Sequence, residues 1–128
     1  MKLKGKTIVP GKVTAYSLVS SAPISFLGDI DSNSGEIVDK RNSLYEESIV
    51  GKVFVFPHGK GSTVGTYVIY QLQKNAKAPA AIINTQAEAI VAVGAIISDI
   101  PMIQEIDMDK IPHDKEIFVN ATEGYIEF

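Results

Sequence analysis

Between Ile49 and Gln104 the sequence switches twice from an apolar, strand-like run to a stretch with helical spacing, and this order constrains the fold more than any other feature. "IVGKVFVFP" is β-branched and aromatic and is stopped by Pro57, the pattern of a well-buried strand. Gly59 and Gly61 then permit a sharp turn, after which Val64, Tyr67, Val68 and Leu72 fall on one helical face. The β-branched residues of "TVGTYVIY" would also suit a strand, but the helical spacing runs on into "QLQKNAK", which has good helix formers and no alternation. "PAAIIN" reads as a second buried strand. "TQAEAIVAVGAIIS" reads as a second helix, with Thr85 and Glu88 matching a capping box and Ile90, Val93, Gly94 and Ile97 as its inner face. "IPMIQ" supplies a third strand.

Strands flank this unit on both sides. "TIVPGKVTAYSLVSS" reads as strand, turn and strand around Pro10-Gly11, and "EIFVNATEGYIEF" as a terminal hairpin turning near Glu123-Gly124. The intervening "SFLGDIDSNSGEIVDKRNSLYEES" is rich in turn residues and reads as short extended pieces joined by turns, with "DSNSGE" a surface loop or hairpin tip. The expectation is an α/β fold with a mixed sheet or small barrel, in one domain spanning residues 1–128.

Composition narrows the function classes. The net charge is −3 and Arg41 is the lone arginine, so no basic cluster is available to neutralise nucleic-acid phosphates. The apolar runs Ala78–Ile83 and Ala89–Ile97 fall well short of the ~20 residues that span a bilayer, and no apolar signal segment follows the basic start. A cytoplasmic protein is expected, without membrane or nucleic-acid partners. The chain has no cysteine, which removes disulfides, thiolate nucleophiles and cysteine-ligated metals. His58 and His113 lie far apart in sequence and do not form a zinc-type pair, so no metal site is expected.

The segment "FPHGKGSTVG" invites comparison with nucleotide-binding loops, but the spacing fails. Lys60 precedes the second glycine, unlike a Walker loop, and the third glycine comes one residue late for a dinucleotide fingerprint. The physical content of the segment survives. A strand entering a glycine turn that leads into a helix leaves the amides of Ser62, Thr63 and Val64 as orphan donors, suited with the helix dipole to a carboxylate or phosphate. Ser62 would then bind an anion or act as a base, or it is simply a favoured N-cap residue; both readings fit. Lys60 fits either an anion's counter-charge or a solvated surface, and His58 reads as a turn residue. Asp29, Asp31, Glu36 and Asp39 miss the spacing of a calcium loop and read as solvated.

Three segments in order, "SFLGDIDSNSGEIVD", "SIVGKVFVFPHGKGSTVGTYVIYQL" and "APAAIINTQAEAIVAVGAIISDIPMI", resemble the small subunit, or swivel domain, of the aconitase X family. The likeness covers about residues 7 to 104, most specifically the turn Pro57 to Thr63. It implies a swivelling β/β/α domain that closes over the active site of a larger catalytic subunit, which would carry a four-iron–four-sulfur cluster on its own cysteines. It implies a hydro-lyase, inactive without that subunit, in which Ser62 takes the proton next to the substrate carboxylate while the cluster's open iron binds the departing hydroxyl. Gly61, Thr63 and Lys60 would shape the substrate pocket. For the archaeal form the implied reaction is loss of water from (R)-5-phosphomevalonate to give trans-anhydromevalonate 5-phosphate in isoprenoid synthesis; other members act on hydroxyproline-type acids. A non-catalytic anion-binding or assembly module is the alternative from another class.

Overall fold

The computed structural model describes residues 1–128. Its elements are β1 (Lys2–Lys4), β2 (Lys6–Val9), β3 (Lys12–Val19), α1 (Phe26–Asp29), β4 (Val53–Phe56), α2 (Gly65–Lys74), β5 (Ala81–Asn84), α3 (Ala89–Ser98), β6 (Met102–Gln104), β7 (Glu116–Asn120) and β8 (Tyr125–Glu127). All eight strands form one mixed sheet in the order β1-β8-β7-β3-β4-β5-β6-β2, with β3, β4, β5 and β6 mutually parallel. The two edges of that order are adjacent pieces of one segment: β1 pairs with β8, and β2 with β6. The sheet therefore closes on itself as a small barrel. Gly5 makes the passage between the edges, where an added Cβ would lie only 2.3 Å from the Gln104 carbonyl oxygen.

Every residue of β4 and β5 is buried because the two strands are covered on both faces. Val53, Val55, Ala81 and Ile83 point into the barrel with Ile103, Ile117, Val119 and Ile126. Phe54, Phe56 and Ile82 face the other way, against Ile69 and Leu72 of α2 and Val91 and Ala95 of α3. Full burial of side chains of this size contributes about 1.5–3 kcal/mol each. Phe26 of α1 meets Phe54 and Phe56 edge-on, at centroid distances of 6.2 and 6.0 Å, and so pins the segment after β3 to the sheet.

Several local expectations change. The strand expected from Ile49 starts at Val53, because residues 49–52 turn through Gly51 at φ +68°. Helix α2 buries Gly65, Ile69 and Leu72 with Val68 half-buried, while Val64 and Tyr67 of the expected stripe face solvent. In α3 the buried residues are Val91, Gly94, Ala95 and Ser98; Gly94 was expected, but Val93 and Ile97 are exposed. Both rotations have one cause, the glycine-mediated contact between the helices. A Cβ on Gly65 would lie 3.1 Å from Ile90 Cγ2, and one on Gly94 would lie 2.6 Å from Ile69 Cδ1, so these close approaches set which faces turn inward.

The capping box is also replaced. Glu88 is itself the N-cap of α3, its carboxylate accepting from the amides of Ile90 at 2.8 Å and Val91 at 3.2 Å, while Thr85 is exposed. The turn-rich insert contains the one-turn helix α1 and a hairpin tip closed by the Ile30–Ile37 bridge. Asp29 is not solvated as expected: it is buried and accepts from the Ser25 amide at 2.8 Å, because a one-turn helix cannot satisfy its own first donors.

Candidate active site

Parallel strands deliver their following loops to one end of the sheet, the usual location of a binding crevice in α/β folds. The loops after β3, β4 and β5 meet there. The Ile24 amide donates to the His58 carbonyl at 3.2 Å and the Lys60 amide to the Ile24 carbonyl at 3.0 Å, joining the first two. The amides of Thr85 and Gln86 both donate to the Pro57 carbonyl at 3.1 Å, joining the third. The segment 57–61 is thus held from both sides. Glycine is required in it by close approach: a Cβ on Gly59 would lie 2.5 Å from Val91 Cγ2 and 2.6 Å from Glu88 Oε1. Gly61 adopts φ +89°, and a Cβ there would lie 2.9 Å from Ser25 Oγ.

The four expected site residues, Lys60, Gly61, Ser62 and Thr63, lie on this one turn. Ser62 is half-buried; its Oγ accepts from the Val64 amide at 3.2 Å and its carbonyl from the Gly65 amide at 3.1 Å. The serine therefore starts a turn that feeds into α2, whose own N-cap position, Val64, has no side-chain cap. The Val64 amide, expected to be free, is occupied by the Ser62 hydroxyl. The amides of Gly61, Ser62 and Thr63 make no hydrogen bond within the chain. Three consecutive free donors beside a serine hydroxyl at the positive end of a helix are suited to the oxygens of an anion. An amide donating to Oγ also favours negative charge on that oxygen.

Lys60 and Thr63 are exposed. The Asp39 carboxyl is held below its ordinary value chiefly by the Arg41 backbone amide, then by the Arg41 side chain and charge, with Lys60 adding to the effect. His58 is exposed, with Nδ1 2.8 Å from the Gly59 carbonyl oxygen, and lines a cavity of about 300 Å³ with Gln86, Ala87 and Glu88. Sequence reasoning did not find Ser25 or Gln86, which come to the turn from other loops with no spacing to announce them, and it read Glu88 as the reach-back partner of Thr85 where Glu88 is itself the N-cap. No three His, Cys, Asp or Glu side chains gather as a metal site, and no helix is long and apolar enough to cross a membrane. Leu27, Val64 and Tyr67 leave apolar surface exposed beside the turn.

Comparison with known proteins matches this arrangement over its full extent. The family model described as the aconitase X swivel domain matches residues 2–128. The phosphomevalonate dehydratase small subunit of Methanosarcina mazei is 54% identical, over 99% of this chain and 90% of its own length. That of Thermococcus onnurineus is 53% identical, over 99% of this chain and 98% of its own. The crystal structure of Thermococcus kodakaraensis aconitase X in its holo-form superposes with a TM-score of 0.98 at 51% identity, covering 99% of this chain and 97% of that one. With a family model matched from residue 2 to residue 128 and relatives above half identity along the whole length, the chain belongs to the aconitase X swivel-domain family.

Proposed function

We propose that this chain is the small subunit of a cytoplasmic hydro-lyase that dehydrates (R)-5-phosphomevalonate to trans-anhydromevalonate 5-phosphate together with a separate large subunit. The observation that carries the reading is identity of 54% and 53%, over 99% of this chain, to proteins named as phosphomevalonate dehydratase small subunits. Residues 1–128 act as one swivel-type domain in this reading, presenting the glycine turn to the partner. The exposed apolar side chains of Leu27, Val64 and Tyr67 supply contact surface around it.

The chain's own residues support the proton-transfer half of the reaction. The amides of Gly61, Ser62 and Thr63 receive the substrate carboxylate, and Ser62 Oγ takes the proton from the carbon next to it. The Val64 amide and the α2 dipole stabilise the serine oxygen in its basic form. Hydroxide leaves from the neighbouring carbon, so that proton and hydroxide together account for the water lost. An iron–sulfur cluster does not fit any donor set in this chain, which has no cysteine and no gathered group of potential ligands. In this reading the cluster that the family resemblance implies belongs to the large subunit.

The test is co-expression with the candidate large subunit, followed by an anaerobic dehydration assay on phosphomevalonate. The expected result is a stable complex with turnover and no turnover by either chain alone. Two independent size-exclusion peaks, turnover by the pure small subunit, or a complex that dehydrates a hydroxyproline but not phosphomevalonate would each overturn the reading.

A further inference from the structure

We propose that Ser25 is a further substrate-binding residue of this site, its hydroxyl donating a hydrogen bond to the substrate carboxylate beside Ser62. The inference rests on the function proposed above and adds to it a residue from a different loop.

Ser25 occupies the N-cap of α1 with extended backbone, φ −102° and ψ 112°, where a serine hydroxyl ordinarily accepts a first-turn amide. Here it makes no such bond. Asp29 Oδ2 takes the Ser25 amide at 2.8 Å and ties the two ends of α1 together without engaging the Ser25 hydroxyl. The same hydroxyl sits against the glycine turn, 2.9 Å from the position a Gly61 Cβ would take. The Ser25 backbone is held next to the turn, because the adjacent Ile24 is bonded to both His58 and Lys60. Gly61, at φ +89° and without a Cβ, allows Ser25 to approach the turn this closely.

The result is a half-buried hydroxyl, free of partners within the chain, that lies against Gly61 of the turn whose amides at Gly61, Ser62 and Thr63 are also free. Asp29, the carboxylate nearest in sequence, has turned to the Ser25 amide. Such a group of donors suits a multi-oxygen anion. In the proposed reaction that anion is the carboxylate, since the proton taken by Ser62 lies on the carbon attached to it, whereas the phosphate is at the other end of the substrate. A carboxylate is charged in the substrate as well as in the transition state, so most of the loss on removing this donor falls on KM.

The test is Ser25→Ala in the reconstituted complex. A hydrogen bond to a charged group corresponds to roughly a 10- to 100-fold rise in KM for phosphomevalonate, with a much smaller change in kcat and with melting temperature and assembly unaltered. Competitive inhibition by mevalonate, which has the carboxylate but no phosphate, should weaken by the same factor, and Ser25→Thr should recover most of the affinity. An unchanged KM overturns the proposal, as does a variant whose defect is a lower melting temperature or failed assembly. A KM effect without any effect on mevalonate inhibition moves the contact to the phosphate and overturns the carboxylate assignment. Wild-type complex inactive on phosphomevalonate would instead remove the function reading, and this proposal with it.

Discussion

Helices α2 and α3 are both ten residues long, follow parallel strands, and start at the same end of the sheet, but their N-termini are finished in opposite ways. The first turn of α3 is closed by the chain's own carboxylate, with Glu88 taking the amides of Ile90 and Val91. The turn leading into α2 has only the Ser62 hydroxyl, which takes the Val64 amide and leaves those of Gly61, Ser62 and Thr63 open. A helix N-terminus carries unsatisfied donors and a positive dipole end wherever it occurs. When the chain supplies the anion, the result is stability; where it leaves the place open, we propose a site for an anion from outside.

The largest effect should come from making α2 like α3. Ser62→Asp keeps a side-chain oxygen that can accept from the Val64 amide but puts a carboxylate where the substrate's is proposed to sit. Turnover of the reconstituted complex should fall by at least the ~10²-fold expected for loss of a positioned base, while the melting temperature stays level or rises. Retained turnover would break the contrast between the two helices.

A smaller and opposite effect should follow from opening α3. Glu88→Ala removes the carboxylate cap and should cost about 0.5–2 kcal/mol, seen as a melting temperature lower by several degrees. Its effect on turnover should be far below that of Ser62→Asp. A Glu88→Ala protein that melts at the wild-type temperature would mean that the carboxylate contributes nothing to α3.

Much of the architecture was legible in the sequence because its punctuation is local. Pro10-Gly11 separates β2 from β3, Pro57 ends β4, and Glu123-Gly124 turns β7 into β8. What was not legible depends on residues distant in sequence. Residues 2–9 cover both sheet edges, and nothing within that segment states that it pairs with both Met102–Gln104 and Tyr125–Glu127. The segment "AIVAVGAIIS" is apolar almost all round, so its periodicity could not select the buried face; the approach of Gly94 to Ile69 does. At the site, Lys60 to Thr63 were legible as one glycine turn. Ser25 and the approach of Glu88 to Gly59 were not, since each reaches the turn only through the meeting of loops after different strands.

The account turns on whether the Ser62 hydroxyl is a base or only the acceptor that holds the turn before α2, and kcat of a Ser62→Gly complex separates the two. Glycine gives up only the exposed hydrogen bond from the Val64 amide, about 1 kcal/mol, and cannot accept a proton. The predicted result is a complex that assembles and melts much as the wild type does, with kcat lower by about 10²- to 10⁴-fold. Turnover near the wild-type rate would contradict the catalytic role of Ser62.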